Sequence, residues 1–285
     1  MTARLIDGRK VASDIRENLK KEIIKLKSKG TNPCLAVLFD ATYPPSKKYV
    51  DIKRTACDEA GIDILIHAVQ KKEKEKSLIK FIERLNKDPV VNGILLQFPF
   101  RKNFNQKKIE EHIAPEKDID ACGLYALSKL FLNKPLFLPC TPYGVIKMLD
   151  AYRISLSGKR AVVIERSNTG RTLAHLLLRK NAVVILCEVS TPNLKEECLK
   201  ADILCVDVGK PGMITADMVK KGAVVIDLGM NVTPRGKVKG DVDFDSVKER
   251  ASYITPVPGG AGPMTVAMIL HNTVLAAKRP AKNNT

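Results

Sequence analysis

The chain has 285 residues, 45% of them apolar, enough for one large or two medium domains with a proper core. No apolar run approaches the roughly 18 residues of a bilayer span, and no basic flank meets an apolar stretch at the N-terminus, so neither a membrane segment nor a signal peptide is expected. The net charge of +17 raises nucleic acid as a partner, but the lysines alternate with acids, as in KKEKEKSLIKFIERLNK (71–87), and no stacking or finger motif accompanies them; an anionic small molecule steered by a basic surface fits better.

In chain order, DGRKVASDIRENLKKEIIKLKSKG (7–30) places Val11, Ile15, Leu19, Ile23 and Leu26 at helical spacing and stops at Gly30. CLAVLF (34–39) predicts a strand, and SKKYVDIKRTACDEAG (46–61) a helix with Ser46 as N-cap and Gly61 as its stop. IDILIHAV (62–69) predicts a second strand, 71–87 a charged helix, and VNGILLQFPF (91–100) a strand running into a proline turn. Strands alternating with helices imply parallel pairing and an open α/β sheet. Near 139 the pattern restarts: a turn and helix over 139–152, strand, loop, helix and strand over 158–188, then strands at 201–206 and 222–231. This half reads as a nucleotide-binding α/β domain, with ligands at the carboxyl ends of the strands. The tail 279–285 is expected to fray.

The seven cysteines, Cys34, Cys57, Cys122, Cys140, Cys187, Cys198 and Cys205, form no CxxC pair and no zinc spacing. Free thiols in a reducing cytoplasm are expected, and no metal.

Several stretches have both an ordinary and a chemical reading. Tyr49 and Lys53 stand four apart on one helix face. They are either a solvated pair or a tyrosine beside a lysine that burial turns into a base. Gln97 ends an apolar strand before Pro99, as a polar strand end or an active-site group. Asp118 and Asp120 in APEKDIDACG (114–123) either cap a helix or accept a ligand's N–H groups. TPVPGGAGPMT (255–265) is a tight turn or a stiff loop wrapped round a ligand. VIERSNTGRT (163–172) joins strand to helix where a phosphate is cradled, with Arg166 and Ser167 as candidates, yet Gly170 is its only glycine.

Taken together, SKKYVDIKRTACDEAGI, GILLQFPF, APEKDID, PCTPYGV, GAVVIDLGMN, GDVDF and TPVPGGAGPMTVAMILHNTVLAA resemble the bifunctional methylenetetrahydrofolate dehydrogenase/cyclohydrolases, in that family's order over nearly the whole chain. The resemblance implies two α/β domains around a cleft, the second Rossmann-like. It places a folate-binding catalytic domain at 1–138, completed by a C-terminal helix at 264–285, and a dinucleotide domain at 139–263. It implies NADP-dependent oxidation of 5,10-methylenetetrahydrofolate, hydrolysis of the methenyl product to 10-formyltetrahydrofolate, a polyglutamylated substrate and a cytoplasmic homodimer. It assigns Lys53, Tyr49 and Gln97 to catalysis, and Asp120, Pro258, Gly259 and Gly260 to folate. Thr141, Arg166, Ser167, Gly170 and Gly209 fall to the cofactor.

The departures lie mostly on the cofactor side. The family's G-R-S-x-x-V-G-x-P loop is ERSNTGRT (165–172) here, one residue shorter, with Glu165 for the first glycine and Thr172 for the proline. Glu165 is expected to oppose pyrophosphate by bulk and charge. Glu188, 18 residues after Gly170, stands near where an acid binds the ribose of NAD. Weakened NADP binding with NAD as a possible substitute is therefore expected. A cyclohydrolase with weak or lost dehydrogenase activity is the alternative, and a folate-binding pseudoenzyme a third reading.

Overall fold

In a computed structural model, the structure describes residues 2–279 apart from Arg166, Pro234 and Arg235. In chain order the first elements are β1 (Arg4–Leu5), α1 (Gly8–Lys27), β2 (Cys34–Asp40), α2 (Pro44–Ala60), β3 (Asp63–Val69), α3 (Glu75–Lys87), β4 (Gly93–Gln97), α4 (Gln106–Glu111) and α5 (Leu124–Phe131). Then follow α6 (Cys140–Ala151), β5 (Arg160–Glu165), α7 (Asn168–Leu178), β6 (Val183–Cys187), α8 (Leu194–Lys200), β7 (Ile203–Asp207) and β8 (Val224–Asp227). The chain continues through β9 (Asn231–Val232), β10 (Val238–Lys239), α9 (Phe244–Val247), β11 (Tyr253–Ile254) and α10 (Ala261–Ala277).

These form two compact units: residues 1–13 with 141–265, and residues 14–140 with 266–285. The second unit holds a parallel sheet in the order β3-β2-β4. Every residue of β2 is buried, as its unbroken apolar run requires of a central strand. Leu78, Ile82 and Leu85 of α3 pack with Leu38, Ile94 and Leu96 in one core. The chain adds β3 on one side of β2 and returns to add β4 on the other, so the sheet reverses direction between β2 and β4. Ligands bind outside the carboxyl ends of strands at such reversals. Gln97 sits there, registered against Phe39.

The first unit contains a six-stranded parallel sheet ordered β1-β11-β8-β7-β5-β6. Its reversal falls between β5 and β7, where Glu165 pairs with Asp207. Both units are α/β, and this one is doubly wound, as expected.

Some boundaries are corrected. Residues 1–13 join the nucleotide half rather than the 1–138 segment, because β1 pairs with β11. Two residues are too few for any periodicity to reveal. Ser46 does not cap α2, which starts two residues earlier with prolines at its head, where a missing N–H is harmless. Gly61 does end α2: at φ 81° it takes the left-handed conformation that glycine favours, and its N–H reaches back to Asp58. The charged helix begins only at Glu75, and the segment after β4 holds two further helices, α4 and α5. Of the tail expected to fray, 280–285 lies outside the described residues. Among the described residues no helix is long and apolar enough to cross a membrane.

Candidate active site

Helix α2 buries Val50, Lys53, Ala56, Cys57 and Ala60, so Lys53 lies on the apolar face rather than in solvent. It is 8% exposed. Its Nζ donates to Gln97 Oε1 at 2.5 Å. The Gln97 amide is oriented in turn, since its Nε2 donates to the Phe98 carbonyl at 2.9 Å. Tyr49, one turn earlier, is half-buried on the same helix.

The acidic partner arrives from the loop before α5. Ile94 N–H donates to the Lys117 carbonyl at 2.8 Å, so this loop runs beside β4. Asp118 takes the capping role: its carboxylate accepts from Ala121 N at 3.0 Å and Gly123 N at 3.1 Å, at the head of α5. Burial pushes its carboxyl up to about 6, against those amide bonds. Asp120 is left to face Lys53 and the thiols of Cys140 and Cys122. Burial pushes the Lys53 ammonium down from its ordinary range, and the nearby Asp120 charge opposes this. Burial likewise pushes Asp120 up, against Cys140, Lys53 and Cys122. Burial disfavours both charges, and the attraction between them works against it.

Two supporting residues were not singled out from the sequence. Cys140 is buried beside Asp120, and its thiol donates to the Ile119 carbonyl at 3.3 Å. Asn272 is 1% exposed, and its Nδ2 donates to the carbonyls of Ile119 at 2.8 Å and Leu138 at 2.9 Å. It thereby holds the peptide next to Asp120. A polar side chain amid the apolar run VAMILHNTVLAA was the available signal.

The remaining candidates belong to the first unit. In the loop before α10, Gly259 has φ 124° and its carbonyl accepts from Arg9 N at 3.2 Å. Pro258 and Gly260 flank it; a Cβ on Gly8 would stand 1.9 Å from the Gly260 carbonyl oxygen, so glycine is needed there. Thr141 Oγ1 lies 2.9 Å from Thr265 Oγ1. At the sheet reversal, Ser167 caps α7, its Oγ accepting from Thr169 N at 3.2 Å. Arg166 lies outside the described residues.

Glu165 corrects the expectation of a carboxylate aimed at pyrophosphate. It is 3% exposed and turned under α7, where Oε2 accepts from Gly170 N at 2.6 Å. A Cβ on Gly170 would meet Glu165 Cγ at 2.3 Å, so the two residues need each other. The shortened loop thus spends one helix-terminal amide on its own side chain. Gly209 follows β7 at φ 67° and donates its N–H to Asp241 at 3.0 Å. A cavity of about 270 Å³ walled by Arg153, Lys159, Lys220 and Lys221 lies at the opposite, amino end of β7 and β8, and none of the predicted residues lines it.

Residues 6–120 match the tetrahydrofolate dehydrogenase/cyclohydrolase catalytic domain, and residues 139–281 the NAD(P)-binding domain of the same proteins. The chain belongs to the tetrahydrofolate dehydrogenase/cyclohydrolase family. Among its relatives, the bifunctional protein FolD of Thermodesulfovibrio yellowstonii is 52% identical over 98% of both chains. The Bacillus subtilis protein of that name is 44% identical over 98% of this chain and 99% of its own. The crystal structure of the Campylobacter jejuni bifunctional enzyme superposes with a TM-score of 0.94 at 43% identity, covering 97% of this chain and 99% of that one. The Trypanosoma brucei dehydrogenase-cyclohydrolase, complexed with NADP and an inhibitor, reaches 0.93 at 32% identity over 98% of each chain. The family's two activities are oxidoreductase and hydrolase chemistry on tetrahydrofolates, in one-carbon metabolism.

Proposed function

We propose that this chain oxidises 5,10-methylenetetrahydrofolate with NADP and hydrolyses the methenyl product to 10-formyltetrahydrofolate, with Lys53 as the central group. The observation that carries this reading is the 2.5 Å bond from buried Lys53 to Gln97. Gln97 takes one N–H of the amine and fixes its direction. Burial favours the neutral amine, whose lone pair then takes a proton from the water that attacks the methenyl carbon. Tyr49 lies one turn from Lys53 on the same helix and is assigned beside it. Asp120 accepts N–H groups of the pterin, and Pro258, Gly259 and Gly260 line the folate.

NADP, when bound, accepts the hydride. The residues present fit a dinucleotide: the sheet reversal lies between β5 and β7, Gly209 at the end of β7 is exposed with φ 67°, and the Glu165 charge is turned inward. Thr141, Arg166, Ser167, Gly170 and Gly209 would hold it. A second reading, hydrolysis with weakened oxidation, is favoured by one fact: the Gly170 amide is already engaged by Glu165. A pseudoenzyme has no need of a buried amine held by a glutamine.

The reading extends to a folate domain of 1–138 less its first residues, completed by the C-terminal helix, and a dinucleotide domain around 139–263. It includes a cytoplasmic homodimer joined through the dinucleotide domains. The polyglutamate tail of the substrate suits the net charge of +17.

The test is hydrolysis of methenyltetrahydrofolate by Lys53→Met. Methionine keeps the buried apolar stem and removes the base, so the rate should fall to background while NADP affinity is retained. Hydrolysis at the parental rate would remove Lys53 from its role.

A further inference from the structure

Two buried carboxylates in the first unit have no part in the chemistry above. Asp227 ends β8 and is 3% exposed; Asp241 follows β10 and is fully buried. Among the described residues neither forms an ion pair with a cation. Asp227 Oδ1 accepts from Gly229 N at 2.9 Å and Asp241 N at 3.0 Å, and its Oδ2 from Val242 N at 2.9 Å. Asp241 Oδ2 accepts from Val208 N at 2.6 Å and Gly209 N at 3.0 Å, and its Oδ1 from Asn231 Nδ2 at 2.7 Å. Asp227 therefore holds the backbone that carries Asp241, and Asp241 holds the two peptides that follow β7.

Glycines make room for both side chains. A Cβ on Gly240 would stand 1.9 Å from Asp227 Oδ2, and one on Gly229 would stand 2.4 Å from Asp241 Cγ. A turn that only joined two strands would need neither charge, since burying carboxylates away from cations is costly. Burial in fact pushes the Asp227 carboxyl up to about 6, against its three amide bonds. What the pair fixes is the segment at the sheet reversal, where β7 ends beside β5. Because a trans peptide points its C=O opposite to its N–H, tying Gly209 N–H to Asp241 turns the Val208 carbonyl away from the carboxylate. No hydrogen bond among the described residues reaches that carbonyl. Val208 itself is 1% exposed, so the face this turn opens to a ligand is that of Gly209.

We propose that Asp241, backed by Asp227, is a positioning residue for the dinucleotide: it sets the Val208–Gly209 turn so that its outward face receives the cofactor. This rests on the dinucleotide reading above. Its effect falls on the part common to NADP and NAD, because it acts at the end of β7 and not at the end of β6, where Glu188 follows.

The test is Asp241→Asn, which keeps one acceptor oxygen and the shape. Three quantities are measured on the full chain: amide hydrogen exchange at Val208 and Gly209, calorimetric affinity for NADP and for NAD, and cooperative thermal unfolding as a check of folding. The expected result is faster exchange at both amides and about tenfold weaker binding of both dinucleotides, the ratio between them unchanged. Faster exchange with unaltered affinity, or unaltered exchange, overturns the proposal. If the variant does not unfold cooperatively, Asn231→Ala, which removes the third partner of Asp241 together with a bond to the Lys239 carbonyl, replaces it. The same two changes are then expected in smaller measure, and their absence is equally fatal. A wild-type protein that binds neither dinucleotide overturns both this proposal and the proposed oxidation; binding that is equal in wild type and variant overturns this one alone.

Discussion

Lys53 and Asp120 act on each other. Burial lowers the lysine's pKa, while the carboxylate opposes that shift. Removing the carboxylate in Asp120→Ala should have two effects. Pterin N–H groups lose their acceptor, and an unpaired buried donor costs about 1–3 kcal/mol, so folate affinity should fall at least tenfold by calorimetry. At saturating folate, the acid limb of hydrolysis should also move to lower pH, because neutral Lys53 then persists further down. Unchanged affinity would refute the pterin role; a limb moved upward would refute the electrostatic coupling. Glu165 offers a residue-scale test of the cofactor side. Glu165→Gly frees the Gly170 amide for a phosphate, a bond to a charged group worth about 1.5 kcal/mol, so NADP should bind about tenfold tighter. No gain in a titration would mean that the amide is not needed for the cofactor.

Strand ends set the positions of these groups, and one ion pair braces them. Asp40, at the end of β2, accepts from Arg101 N at 2.9 Å, Nε at 2.8 Å and Nη2 at 3.1 Å. Arg101 also donates to the carbonyls of Lys71 at 2.8 Å and Gln70 at 3.0 Å, beyond β3. The ends of β2, β3 and β4 are thus joined close to Gln97. Burial alone would raise the Asp40 carboxyl, but its bonds to Arg101 and Thr42 outweigh that and hold it down at about 2, from an ordinary 3.8. A carboxyl held low stabilises the fold above its unfolded pKa, and the benefit is lost as pH falls toward 2. It amounts to about 2 kcal/mol. Asp40→Asn should therefore be less stable than wild type to urea at pH 7, with the gap narrowing between pH 4 and pH 2. A gap that does not change with pH would deny the ion pair its role.

At this scale the sequence was legible where local pattern decides. The apolar run of β2, the buried face of α2 and the left-handed Gly61 all follow from spacing and conformational preference. It was not legible where distant chain decides. Nothing near Glu165 shows that a loop one residue shorter folds the carboxylate under α7. Nor does anything near Gly209 point to Asp241, 32 residues away. Strand β1 exists only because β11 offers an edge, and Cys140 meets Asp120 only because α6 starts beside the loop before α5.

In the whole molecule the candidate residues are divided between the two units, the glycine-proline loop of Pro258–Gly260 lying with the cofactor candidates. Lys53, Gln97, Asp120, Cys140 and Asn272 lie in the unit of residues 14–140 and 266–285; the predicted cofactor residues lie in that of 1–13 and 141–265. The bifunctional reading needs both to be competent in one protein. The direct measurement is a paired assay on one preparation of the wild-type chain: NADP-dependent oxidation of 5,10-methylenetetrahydrofolate beside hydrolysis of methenyltetrahydrofolate. The account predicts that both proceed. Hydrolysis without oxidation by either NADP or NAD would contradict it and leave a cyclohydrolase; the absence of hydrolysis would contradict the assignment of Lys53 as its base.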